Sequence, residues 1–153
     1  AARLAQSGAP MAEIVEETRR AVKQVRMFGM FETMKYLARS GRVSKAIAGA
    51  SRILNVMPLL TFKEGEIVRA GLVRTVSKGM DRICNFVKDN LPAGEITIAH
   101  SAVPDQAQIL KSRLAELLPG ERIHVAELGS ALGVHGGPGV LVAALRRVEP
   151  GNS

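Results

Sequence analysis

The sequence predicts an α/β fold, a mixed β-sheet flanked by helices with a β-hairpin insertion, in one domain spanning residues 1–153. Three observations predict it. A chain of 153 residues suits one domain of ordinary size. Its second half alternates β-branched runs with helix-period patterns, which is typical of α/β proteins. Its composition is 46% hydrophobic but only 3% aromatic, with no Trp, so we expect an aliphatic core.

The first 41 residues predict two helices separated by a short strand. Apolar residues recur at helical spacing over residues 10–25, with acidic residues first and basic residues last, as the helix dipole prefers. The apolar run 26–31 predicts a strand, and 32–41 predicts a short helix that Gly41 ends. The first ten residues resemble a helix already under way, so we expect a further domain to precede them.

The middle of the chain predicts a third helix and then a hairpin. Residues 43–54 have an apolar helical face, and Ser44 can cap its start. Residues 55–75 contain two extended runs joined by the sequence KEGE at 63–66, which has the composition of a tight turn. The run at 71–75 predicts an additional strand.

The second half predicts helices and strands in alternation, closed by an apolar strand. The predicted helices span 76–91, with Pro92 beyond the end, and 103–118, opened by Pro104 and closed by Pro119 and Gly120. The predicted strands span 95–100, 122–128 and 139–145. Between the last two strands, the glycine-rich stretch ALGVHGGPGV predicts a loop.

Composition narrows the class of protein. Cys84 is the only cysteine, so no internal disulfide can form, and its place in an amphipathic helix predicts a small buried core residue. The sequence has neither a signal-peptide pattern nor an apolar run that could span a bilayer. These features predict a cytoplasmic protein. We expect no metal and no cofactor, since the three histidines are too scattered for a metal site.

The net charge of +7 points to an acidic partner, which could be nucleic acid, an anionic membrane surface or a protein. Basic residues occur in small groups without interleaved aromatics, and no helix-turn-helix or zinc-finger signature is present. A nucleic-acid-binding module is therefore a disfavoured alternative.

Arg42 and His135 are the candidate site residues. Arg42 lies at a junction between predicted helices, beside Ser44 and Lys45, where a guanidinium and a helix N-terminus can bind an anion. Spacing alone favours the simpler roles of capping the previous helix or lying in solvent. His135 opens the HGGPG run, which resembles the oxyanion loop of esterases. A stand-alone hydrolase using His135 or His100 remains an alternative, although no G-x-S-x-G elbow accompanies the loop.

Several motifs in order resemble the carboxy-terminal part of the DegV family, which includes the fatty-acid-binding subunits of bacterial fatty acid kinase. They are MKYLARSGRVSKAIAGASRILNVMPLLTFKEGEIVRAGLVRT, then ITIAHS, then GVHGGPGV. The resemblance covers nearly the whole chain. The sequence departs from the family pattern at two positions. Ser40 stands where the family has the first of two glycines, and Met57 stands where a lysine is usual.

The resemblance implies that the protein binds one long-chain fatty acid between two α/β domains. It implies that the protein is not itself an enzyme and that it presents the carboxylate to an ATP-dependent kinase subunit, which makes an acyl phosphate. Arg42 and His135 match the family's carboxylate-binding positions, with Gly136 and Gly137 bringing the loop close. Lys45 and Arg74 match positions implicated in docking the kinase.

The resemblance also implies an amino-terminal domain whose T-S-x-x-S-G-type loop completes the carboxylate site, and this loop is absent from residues 1–153. A carboxylate in such a site needs a charge partner and donors. Small residues after Arg42 leave room for an acyl slot, and ordinary core packing explains the same residues equally well. The candidate slot walls are Ile47, Ala50, Ile53 and Leu54. An exposed basic rim would also suit peripheral contact with an anionic membrane.

Overall fold

A six-stranded mixed sheet forms the centre of the computed structural model, which describes residues 1–41, 56–118 and 122–148. The strands are β1 (Val25–Met30), β2 (Met57–Lys63), β3 (Glu66–Val73), β4 (Ala93–Ser101), β5 (Ile123–Glu127) and β6 (Val140–Arg147). Their order across the sheet is β3-β2-β1-β6-β4-β5. Only β4 and β5 pair in parallel, across a helical connection; the other neighbours are antiparallel. The predicted mixed α/β fold is confirmed.

Six helices accompany the sheet in the described residues. They are α1 (Ala2–Gln6), α2 (Met11–Gln24), α3 (Lys35–Arg39), α4 (Val76–Asp89), α5 (Pro104–Leu117) and α6 (Ser130–Gly136). The helix predicted over 43–54 lies outside the described residues. No described helix has the length and apolar character needed to cross a membrane.

Local chemistry explains several helix ends. Pro104 occupies the first turn of α5, as predicted, where its missing N–H costs no hydrogen bond. Gly41 follows α3 with φ of +67°, a left-handed conformation that glycine adopts without steric cost. The hydroxyl of Thr75 accepts a hydrogen bond from the backbone N–H of Lys78 and so caps α4.

The predicted hairpin is confirmed as β2 and β3. Its turn is at Glu64 and Gly65, both with positive φ, as a tight hairpin turn requires. The additional strand predicted at 71–75 is wrong. Leu59 pairs with Gly71 while Leu60 pairs with Arg69, so one extra residue bulges out and the chain continues as the same strand β3.

Strand alternation creates two apolar clusters, one on each face of the sheet. Leu59 and Leu141 contribute to the first cluster, which α4 and α5 cover. Their neighbours Leu60 and Val142 contribute to the second cluster, together with Leu37 of α3. Because successive side chains of a strand point to opposite faces, this division follows from the sequence. Cys84 lies buried in the first cluster, as predicted.

The loop predicted for ALGVHGGPGV is wrong in its first part. Residues Ser130–Gly136 form α6, so His135 lies in the last turn of a short helix. The chain leaves that helix through Gly137, whose φ is +76°. The helix forms despite two internal glycines because tertiary packing overrides their low helix propensity.

Candidate functional site

An apolar cleft of about 440 Å³ lies over the second apolar cluster, between the hairpin and α6. The described residues that line it are Met27, Phe31, Leu37, Leu60, Phe62, Ile67, Leu128, Ala131, Leu132, His135, Gly136 and Val140. Among them, His135 alone carries a polar side chain. A ligand that suits this cleft is therefore mostly apolar, with a polar group that can reach the imidazole.

The side chain of His135 is half-buried, and the end of the helix that carries it is closely packed. A Cβ on Gly136 would stand 3.0 Å from Cγ2 of Val140 and 3.6 Å from Cε1 of Phe31. Gly137 donates its N–H to the carbonyl of Gly133 at 2.7 Å, which closes the last turn. The contacts at Gly136 place the end of α6 against Phe31, which directly follows β1, and against Val140 of β6, and His135 lines the cleft beside them.

Two glycines of the HGGPG run lie against the segment that carries α3. The ring of Tyr36 occupies the position that a side chain on Gly137 would take. A Cβ on Gly139 would stand 2.7 Å from Cβ of Glu32, and Gly139 has φ of +78°. The close approach that the glycines permit is thus to the protein's own chain. Contact of Gly136 and Gly137 with a ligand carboxylate stays a prediction.

The end of β4 anchors both ends of the α6 segment. Leu128, ahead of α6, donates its N–H to the carbonyl of His100 at 2.8 Å. Gly139, beyond α6, donates its N–H to the carbonyl of Ser101, also at 2.8 Å. The helix that carries His135 is therefore fixed by backbone bonds at the carboxyl end of a central strand, where α/β proteins commonly place ligand sites.

His100 lies on the other side of the sheet from this cleft. It shares strand alternation with Ile96 and Ile98, which belong to the first apolar cluster. Its side chain is 7% exposed, and its Nδ1 atom has no hydrogen-bond partner among the described residues. His100 and His135 therefore do not share a site, and a hydrolase that uses either one alone stays a prediction. His124 is exposed on β5.

The other predicted site residues fall in two groups. Arg42 and Lys45 lie outside the described residues, as do the predicted slot walls, Ile47, Ala50, Ile53 and Leu54. Arg74 is described and exposed; it immediately precedes the cap of α4 and does not line the cleft.

Sequence reasoning missed most of the cleft wall. Leu60, Phe62 and Ile67 come from the hairpin, and Leu37 comes from α3. The available signal was the alternation of β2, which places Leu60 and Phe62 on one face. That signal does not tell which face carries a cleft.

Charged side chains line a larger and more polar cleft elsewhere. It has a volume of about 790 Å³ between α1, α2 and Arg146, and it shares no lining residue with the apolar cleft. Side chains of both charges line this cleft, among them Glu13, Glu17 and Arg20, so it does not present a potential of a single sign. Within the described ranges, no group of three or more His, Cys, Asp or Glu side chains could hold a metal ion.

Comparison with known proteins identifies relatives of this chain. The family model described as "Uncharacterised protein, DegV family" matches residues 1–147. A DegV domain-containing protein of Streptomyces coelicolor is 35% identical over 144 residues, which are 92% of this chain and 51% of that protein. The chain thus spans about half the length of the curated relatives it matches.

Two solved structures illustrate the shared fold. The fatty acid binding DegV family protein of Streptococcus agalactiae has a TM-score of 0.83 and 26% identity, covering 96% of this chain and 53% of its own. The Streptococcus pneumoniae Fatty Acid Kinase (Fak) B3 protein loaded with linoleic acid has a TM-score of 0.86 and 20% identity, covering 95% of this chain and 53% of its own.

Proposed function

Because the chain belongs to the DegV family, we propose that its apolar cleft binds a long-chain fatty acid whose carboxylate meets His135. The observation that carries this proposal is the composition of the described cleft wall, in which every side chain is apolar except the imidazole of His135. A fatty acid matches this composition, because it has a long hydrocarbon chain and one polar end.

Energetics favour such a ligand. Each methylene buried in the cleft contributes about 0.8 kcal/mol. The carboxylate needs donors, since an unpaired buried charge would protonate instead. His135 supplies a donor, and Arg42 supplies the charge that the family resemblance implies for that position.

An amino-terminal domain completes the proposed site. The chain spans about half the length of its curated relatives, so the remainder of such a protein is available to cover the cleft. Large apolar side chains at the cleft, Phe62 and Leu132, are 45% and 64% exposed. Covering them would remove apolar surface from water and would stabilise the pairing of the two domains.

The protein itself is proposed to be a binding subunit, and a separate ATP-dependent kinase subunit is proposed to phosphorylate the presented carboxylate in the cytoplasm. Arg74 is exposed at the start of α4, and Lys78 and Arg82 are exposed along the same helix. Within the part of the chain that is described, none of the three forms an ion pair. This basic surface suits an acidic face on the kinase subunit, and the family resemblance implies a docking role for Lys45 as well.

The experiment is native mass spectrometry of the full-length protein, stripped of lipid and then mixed with palmitate. We expect one added palmitate per protein at low micromolar concentration. Absence of any bound fatty acid would overturn the proposal. Acyl phosphate formation after adding the kinase subunit and ATP then tests the presentation step separately.

A further inference from the structure

Phe62 and Ile67 form a cross-strand pair at the hairpin end of the cleft. Their Cα atoms are partners in the register of β2 and β3, and both side chains line the cleft. The tight turn at Glu64 and Gly65 follows immediately. This pair therefore marks one end of the cleft.

The end of α6 that carries His135 lies at the other end of the cleft. This helix packs on Phe31 through Gly136, and Phe31 donates its N–H to the carbonyl of Pro58 at 3.0 Å. Pro58 and Phe62 are four residues apart on β2, so about 13 Å of strand separates the two ends of the cleft.

An extended hydrocarbon chain covers that span with about eleven bonds, at the roughly 1.2 Å per bond of an extended covalent backbone. A carboxylate held at His135 thus brings the first dozen carbons along Leu60 and delivers the rest of a longer chain to Phe62 and Ile67. Resting on the proposed function, we infer that this pair contacts the methyl-terminal part of the acyl chain and determines which chain lengths the protein retains.

Leu60 and Phe62, which both line the cleft, differ in how deeply they are buried. Leu60 is fully buried in the second apolar cluster, so a change there disturbs the core. Phe62 is 45% exposed, so its size can change with little effect on the packing of the domain. A size change at residue 62 therefore alters the space for the distal acyl chain and leaves the core intact.

The test supplies the full-length, delipidated protein with an equimolar mixture of laurate, myristate, palmitate, stearate and arachidate and quantifies the bound acids by mass spectrometry. Phe62→Ala and Phe62→Trp are compared with the natural protein. The matched control is Leu72→Ala. Leu72 pairs with Pro58 on the same face of the hairpin and is 37% exposed, but it does not line the cleft.

We expect Phe62→Ala to raise the ratio of stearate and arachidate to laurate and myristate by about threefold or more, close to the effect of one buried methylene. Phe62→Trp lowers that ratio by a similar factor, and Leu72→Ala leaves it unchanged. Opposite shifts in the two variants exclude a general loss of folding as the cause.

Three results would overturn the inference. An unchanged distribution in both Phe62 variants, or a loss of total binding without a change in distribution, refutes the selecting role while the proposed fatty acid binding stands. Failure of the natural protein to bind any of the five acids refutes both.

Discussion

The aromatic ring of Tyr36 occupies the space in which a side chain of Gly137 would stand. A Cβ on Gly137 would lie 2.7 Å from Cγ of Tyr36, and closer still to Cδ2 and Cε2. The contact joins α3, which leads to Gly41 and Arg42, to the end of α6, which carries His135. One glycine thus couples the two chain segments that the proposed carboxylate site requires.

Replacing Gly137 should therefore be costly. Its φ of +76° and ψ of −179° lie in a region essentially reserved for glycine, and an added methyl would collide with Tyr36. We expect Gly137→Ala to lower the free energy of unfolding by about 3 kcal/mol, from backbone strain and overpacking together. Urea unfolding of the natural protein and of Gly137→Ala, followed by circular dichroism, measures this change in the free energy of unfolding.

Gly65 offers a matched control for backbone strain alone. It has φ of +83°, but a Cβ there meets no heavy atom within 4 Å. We expect Gly65→Ala to cost only about 1 kcal/mol. Equal costs for the two variants would mean that the contact between Tyr36 and Gly137 contributes nothing.

Cys84 should make stability depend on pH in the alkaline range. Burial, by removing the thiol from water, raises its pKa above the ordinary value of 9.0, although nearby Arg113 lowers it in part. The folded state therefore holds the thiol proton more tightly than the unfolded chain. This contribution to stability is complete below the unfolded pKa and is lost as the pH rises through the folded pKa.

The measurement is the free energy of unfolding as a function of pH, compared between the natural protein and Cys84→Ala. We expect the alanine variant to be less stable at neutral pH and to show a shallower decline above pH 9.0. If the free energies of unfolding of the two proteins fell in parallel above pH 9.0, the raised pKa of Cys84 would be contradicted.

Arg146 should control the acidity of Glu17. Nη2 of Arg146 lies 2.6 Å from Oε1 of Glu17, and Arg20 also contacts that carboxylate. The hydrogen bond from Arg146 is the largest cause that lowers the pKa of Glu17 below its ordinary value of 4.5. In Arg146→Gln we expect an NMR titration to find a raised pKa for Glu17. A pKa that stays where it is in the natural protein would show that Arg146 does not set it.

Reversing the basic surface should separate lipid retention from phosphorylation. We expect Arg74→Glu and Lys45→Glu, each in the full-length protein, to reduce kinase-dependent acyl phosphate formation about tenfold, since a reversed charge faces an acidic partner, while bound fatty acid is unchanged. Lys111→Glu, on the exposed side of α5, serves as the control and should leave both activities intact. Equal loss of both activities in the Arg74 and Lys45 variants would refute the separation of roles.

Local patterns were sufficient to predict much of the architecture. The hairpin turn, the end of α3 at Gly41 and the start of α5 at Pro104 each depend on the conformational limits of one or two residues. Such limits act within a few residues of sequence.

The cleft depends on contacts that local patterns do not contain. Tyr36 and Gly137 meet through the fold although a hundred residues separate them, and α6 forms at glycines that favour a loop by propensity. The sequence accordingly predicted His135 but assigned it to a loop. It placed the acyl slot after Arg42, in residues outside the described ranges, and it did not identify the hairpin, α3 and α6 as contributors to the cleft.

The central claim, that His135 receives a fatty acid carboxylate, is tested most directly by the lipid that copurifies with the full-length protein. Organic extracts of the natural protein, His135→Ala and His124→Ala are quantified by mass spectrometry, with exposed His124 as the matched histidine control. We predict about one fatty acid per protein in the natural form and in His124→Ala, and at least a tenfold loss in His135→Ala. Undiminished lipid in folded His135→Ala would contradict the account.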